Sequence, residues 1–281
     1  MHLYLFPIST RRTLIFCQKS SVIADKKKIH NLWLDYGITR ATKLWSGWEQ
    51  KEAGWQKSVV LFGNMLLEKI PFEEWALKSI PPLPSTSRHK AKVANMKKIE
   101  VTFPQSLILE SKVLEITRKL GTQRQKWHRS RMIISLIGMP LCIPLTIIPV
   151  IPNLPFFYLV FRAWSHWKAL SGSKHIQFLL DNNLITTKPL PILDELYVSA
   201  GKLLHSKKQS SLTSEREISI SSDPGNLIKE GPKEVREDEE RILLSESSSK
   251  KIADALSMPE LEIELSRAIR QVESAGRTLD H

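Results

Sequence analysis

Glycine is scarce in this chain, with 11 residues in 281, and there are only two cysteines, Cys17 and Cys142. That composition excludes a collagen-like chain. Two isolated cysteines do not make a disulfide framework, and no spacing around them suggests a zinc site. A Gly-rich phosphate loop, a metal-ligand cluster and an activated nucleophile are all missing. No enzyme, no cofactor and no bound metal is therefore expected. There is no internal repeat, no secretory signal and no recognised RNA-binding signature. Acidic residues are absent before Asp25. Most informative, no Asp, Glu, Lys, Arg or His occurs from Met132 to Phe161, a run of 30 residues.

What is present begins with charge. The net charge is +12, and it is unevenly spread. Residues 201–281 hold 13 Lys and Arg against 16 Asp and Glu, leaving 28 against 13 in residues 1–200. The front of the chain, at +15, suits a polyanionic partner: an anionic membrane surface or nucleic acid.

The first 20 residues carry Arg11, Arg12, Lys19 and several hydroxyls. That is the composition of a mitochondrial transit peptide. Leu3, Leu5, Thr13, Ile15 and Cys17 also recur at period two around a turn, which fits a β-hairpin of the mature protein. Residues 29–80 read as helical and tryptophan-rich, with Trp33, Trp45, Trp48, Trp55 and Trp75. Such residues serve as core bulk or, with interleaved lysines, as an interfacial belt. A proline-rich linker follows at Pro81–Ser87. Ile99–Phe103 is a strand candidate, and residues 107–120 form an amphipathic helix leading into a basic collar with Trp127, His128, Arg129 and Arg131. Residues 206–249, rich in Ser, Glu and Lys, read as a disordered linker. The tail helix opens at Pro259 with early acids, and Leu261, Leu265, Ile269 and Val272 form one stripe.

The 30-residue run is long enough for membrane insertion, which needs about 20 apolar residues. Its flanks supply interface anchors: Trp127, Arg129, Arg131, Trp164 and Trp167. Pro140, Pro144, Pro149, Pro152 and Pro155 break it. The expectation is a hairpin turning at Pro149, Pro152 and Pro155, with a kinked single span as the alternative. The run offers no carboxylate or histidine of the kind a cation pathway needs at membrane depth. Glu73 and Glu74 follow Pro71 and read first as the acids of a helix's first turn.

Three segments carry a resemblance. Pro152–Gly172 (PNLPFFYLVFRAWSHWKALSG), Gly63–Pro82 (GNMLLEKIPFEEWALKSIPP) and Pro259–Val272 (PELEIELSRAIRQV) are similar to segments of the mitochondrial K+/H+ exchange-related family. The amino-terminal FPISTRRTLIFC fits as well. The resemblance implies a mitochondrial inner-membrane protein connected with potassium–proton exchange and matrix volume. It makes Asn153, Pro155, Arg162, Trp164, Ser165 and His166, with Glu73, Glu74 and Lys78, the candidate functional positions. Asn153, Arg162, Ser165, His166, Glu73 and Glu74 are the ion or headgroup contacts expected.

The resulting expectation is a mainly α-helical membrane protein with a short proline-broken membrane hairpin and a small β element. Its regions are a basic Trp-rich part (1–131), the membrane hairpin (132–172), a helical segment (173–205), the linker (206–249) and a docking helix (250–281). Expected partners are a bilayer with anionic headgroups and either further copies or other inner-membrane subunits; nucleic acid is the least favoured. The expected role is a component or regulator of inner-membrane K+/H+ exchange. A membrane-tethered scaffold or assembly factor is the alternative.

Overall fold

A computed structural model of the chain describes residues 1–18, 39–40, 43, 45–83, 98–144, 154–201 and 240–277. The period-two pattern at the amino terminus produces β1 (His2–Pro7) and β2 (Thr13–Gln18), and IEVTF is β3 (Ile99–Phe103). With β4 (Ile185–Pro189) they make one sheet in the order β2-β1-β3-β4. β1 and β3 run parallel, with Leu3 opposite Val101 and Tyr4 opposite Thr102. The chain divides into two compact units, residues 1–4, 15–102 and 111–188, and residues 5–14, 103–110 and 189–281.

The first unit holds five of the helices: α1 (Trp55–Glu68), α2 (Phe72–Ser79), α3 (Glu110–Thr122), α4 (Gln125–Cys142) and α5 (Leu154–Asp181). Pro71 caps α2, Glu73 and Glu74 lie in its first turn and Lys78 in its last, an order that complements the helix dipole. In α3 the buried residues Val113, Thr117 and Gly121 recur every four positions, placing one stripe inward. The longest helix, α5, is the scaffold of the unit. It packs along α4 and against α2. Two glycines set its closest approaches. Gly121 of α3 faces the Ile176 side chain, and Gly172 of α5 lies against the Leu77 carbonyl and Ile80 at the end of α2. Of the tryptophan-rich region, Trp45 packs on Gly63 and Trp48 meets Trp55 edge-on at 5.5 Å. Trp33 lies outside the described residues.

The second unit gathers the turn between β1 and β2, a helix over residues 191–201, α6 (Glu246–Ala255) and α7 (Pro259–Arg277). Its core includes Leu5, Phe6, Ile8, Phe103, Leu193 and Leu244. The stripe of α7 expected from sequence, Leu261, Leu265, Ile269 and Val272, is buried. Residues from opposite ends of the chain bond directly. Leu243 donates its N–H to the Ile8 carbonyl at 2.9 Å, Tyr197 donates to the Pro7 carbonyl at 3.0 Å, and Arg12 pairs with Glu240 at 3.3 Å.

The reading of the chain as a helical membrane protein with a membrane hairpin is corrected. Among the described residues no helix is long and apolar enough to cross a membrane. The charge-free run does not lie on one helix. Its first part completes α4, which opens with Lys126, His128, Arg129 and Arg131, and its last part opens α5, which continues through Arg162, His166, Lys168 and Lys174. Each apolar arm thus shares its helix with charged and polar groups that hydropathy along the sequence does not weigh against it. Pro140 is accommodated inside α4 and Pro155 in the first turn of α5. Pro149, Pro152 and Asn153 lie outside the described residues.

Candidate functional site

Three helices of the first unit converge on a buried polar cluster. In α5, Arg162, Ser165 and His166 are spaced i, i+3 and i+4, which puts them on one face. In α2, Glu74 and Lys78 are likewise four apart and face α5. In α4, His128 and Ser135 are the buried polar residues, seven apart and therefore on one stripe. Glu74, His128 and Ser165 are inaccessible to solvent, and His166 nearly so. Arg162 retains 14% side-chain exposure.

Glu74 is the hub. Its Oε1 accepts from Ser165 Oγ at 2.5 Å and from Arg162 Nη1 at 3.1 Å, and its Oε2 accepts from Arg162 Nη2 at 3.4 Å. Lys78 Nζ donates to Ser165 Oγ at 3.0 Å while resting on the Trp75 ring, 3.4 Å from its centroid. Arg162 Nη2 also donates to His166 Nε2 at 2.9 Å, and His166 Nδ1 lies 3.1 Å from His128 Nδ1. The Trp127 ring meets both imidazoles edge-on, at 5.1 and 5.2 Å. Just outside, Arg124 pairs with Glu73 at 3.2 Å.

These contacts fix the proton positions. A guanidinium only donates, so His166 Nε2 accepts. In the neutral ring the proton is then on Nδ1, which donates to His128 Nδ1. His128 is left with its proton on Nε2, a buried atom without a hydrogen-bond partner. Burial pushes both imidazoles down to about 4, with Arg162 and Lys78 reinforcing the effect and Glu74 opposing it. For Glu74, burial alone would raise the carboxyl. The Ser165 hydroxyl, Arg162, His166 and Lys78 outweigh it and hold the group below the usual carboxylate range. At neutral pH the cluster therefore carries one carboxylate, two cations and two neutral rings.

A pH dependence follows. Between about 4 and 6.5 the unfolded chain holds protons on these rings that the folded chain refuses. Unfolding free energy falls as pH drops through that window and levels off below it. Glu74, depressed in the fold, takes away further stability as pH falls below its unfolded value of 4.5. The urea midpoint at pH 5 is expected below that at pH 7. An unchanged midpoint would mean that the rings are solvated.

Of the positions expected from sequence, Glu74, Arg162, Ser165 and His166 meet in this cluster, Lys78 joins them, and Glu73 borders it. Asn153 lies outside the described residues. Trp164 and Trp167 are exposed on α5, as Trp127 is on α4. His128 was missed as a functional position. The charges of the collar around it hid the one signal available, its seven-residue spacing from Ser135. Glu74, His128 and His166 each present one possible metal-ligating atom, all within 4.8 Å of one another.

A second feature lies on the outside of the same helices. Large apolar side chains are exposed along α4 and α5, Ile137 at 65% and Leu141 at 77%, with Ile134, Phe157, Trp164 and Trp167 above or near half. Lys126, Arg129 and Arg131 are exposed on α4.

A family model described as mitochondrial K+-H+ exchange-related matches residues 2–180. An uncharacterized protein of Schizosaccharomyces pombe is 33% identical over 176 residues, covering 62% of this chain and 72% of its own length. An uncharacterized protein of Saccharomyces cerevisiae is 26% identical over 189 residues, covering 60% of this chain and 57% of its own. No solved structure matches.

Proposed function

Since the chain belongs to the mitochondrial K+-H+ exchange-related family, we propose that it is a component or regulator of potassium–proton exchange at the mitochondrial inner membrane, held there by contact with an anionic bilayer surface. One observation supports this most: the exposed apolar faces of α4 and α5 beside Lys126, Arg129 and Arg131. Scattered exposed apolar residues are ordinary, but here they recur at helical spacing along two paired helices, Ile134, Ile137 and Leu141 on α4 and Phe157, Trp164 and Trp167 on α5. Tryptophan with Lys and Arg at its border matches the chemistry of headgroups, and each cation near an anionic surface adds about 1 kcal/mol. The contact is with one face of the bilayer.

The test has two readouts. Purified protein is expected to co-sediment with vesicles containing anionic lipid, less so at high salt and less so as an Ile137→Glu, Leu141→Glu double variant. Mitochondria lacking the chain are expected to show altered potassium-driven swelling that wild type restores and the double variant does not. Unchanged swelling would remove the exchange reading. A scaffold or assembly factor is the second reading, favoured by exposed Leu109 and Val198 in the second unit. Unchanged swelling together with a stable co-purifying complex would select it.

A further inference from the structure

We propose that Glu74, His128 and His166 form a binding site for a divalent transition-metal ion of the zinc class, with Arg162 as its displaceable occupant. The site lies in the buried cluster and is independent of the bilayer contact. Two histidines and one carboxylate are ligands that suit this ion. Both imidazoles present the same atom, Nδ1, to each other, 3.1 Å apart. Two nitrogens on one tetrahedral zinc, each at about 2.0–2.1 Å, sit about 3.3 Å from each other. Glu74 Oε2 is 3.7 Å from His166 Nδ1, and one ligating atom from each of the three residues lies within 4.8 Å of the other two. The carboxylate is divided between roles. Ser165 donates to Oε1, as the outer partner of a ligating carboxylate does, and Oε2 lies toward the His166 ring. Aiming Nδ1 inward also leaves His128 Nε2 buried without a partner, a costly arrangement for a cluster with no other use of that nitrogen.

Charge is what opposes the ion. Arg162 and Lys78 already outnumber the one carboxylate, and an added dication is repelled by both. Lys78 rests on the Trp75 ring and touches Ser165, whereas Arg162 lies directly on Glu74 and His166. Arg162 is also the member with solvent exposure, so it can swing outward. When it leaves His166 Nε2, the ring proton moves from Nδ1 to Nε2 and frees Nδ1 for the ion. No net proton is released.

Purified full-length protein titrated with Zn2+ against a chromophoric chelator is expected to bind one ion, with heat independent of the buffer's ionisation enthalpy. Arg162→Gln is expected to tighten binding at least about tenfold by removing a charge within a few ångströms. His128→Gln and His166→Gln are expected to abolish it. X-ray absorption at the zinc edge of the wild-type complex is expected to show two imidazoles among ligands at about 2.0–2.1 Å. Absence of binding, binding that survives both histidine substitutions, or a wild-type spectrum without imidazole would overturn the site and leave an ion-pair network only.

Discussion

A Glu74→Ala chain loses about 3–5 kcal/mol of unfolding free energy, the usual cost of removing one partner from a buried ion pair. The reason is the asymmetry of the cluster. Arg162 bonds directly to the Glu74 carboxylate, and Lys78 reaches it through the Ser165 hydroxyl, which donates to the same oxygen. Without Glu74, Lys78 keeps an aromatic ring and a hydroxyl, but Arg162 loses the carboxylate it bonds with both nitrogens. Arg162 can reach water because part of it is exposed, whereas Lys78 is nearly buried. At about 2–4 °C per kcal/mol for a chain of this size, thermal unfolding moves down by roughly 10 °C. Glu74→Gln costs less, since the amide oxygen still accepts. Replacing Glu74, Arg162 and Lys78 together with apolar residues of similar size recovers most of the loss, because the removed charges no longer need burial. A Glu74→Ala midpoint within about 1 kcal/mol of wild type would show that the three helices do not close over the cluster.

Gly172→Ala is the second large effect, and its sign is diagnostic. By helix propensity alone alanine stabilises an interior glycine position by about 1 kcal/mol. Here the added methyl collides with the Leu77 carbonyl and lies 3.1 Å from Ile80 Cβ. The obstacle is backbone, which cannot rotate aside, so α2 and α5 must part. The expected result is a loss of about 3 kcal/mol, the upper range for overpacking. Gly276→Ala in α7 is the control. Nothing lies within 4 Å of a methyl there, so propensity is left to act and the protein is expected to gain slightly. Denaturant midpoints of the two variants moving in the same direction would sink the close-approach account.

The difference between sequence and structure lies in what repeats locally and what does not. Strands β1, β2 and β3 were legible because alternation at Leu3, Leu5, Thr13, Ile15 and Cys17, and again in IEVTF, is a property of adjacent residues. The stripe of α7 was legible for the same reason. Arg162, Ser165 and His166 were found through a resemblance to a family motif. Their joint purpose was not, because Glu74 reaches them from 91 residues away along the chain and His128 from 38. Glu74 was read as a first-turn acid, and it is one; the fold turns that same acid inward. The hairpin was misread because counting apolar residues along a line cannot tell that the line is folded. The apolar run is shared by two helices that each bury polar residues, His128 and Ser135 on α4 and Ser165 and His166 on α5, within a few turns of the residues that made the run look like a span.

The bonds from Ile8 to Leu243 and from Pro7 to Tyr197 have a kinetic meaning. A chain that emerges from a ribosome or a translocation pore beginning with residue 1 makes Pro7 and Ile8 early and their partners Tyr197 and Leu243 much later. The last of these bonds cannot form until residues 240–243 have arrived, so the earliest apolar residues of the second unit wait through the synthesis of most of the chain. Contacts this distant along the chain form slowly, because the loop between them must close before any contact rewards it. During that interval the turn after β1 lacks its distant partners, and a chain cut short before residue 240 never gains the bonds from Arg241 and Leu243.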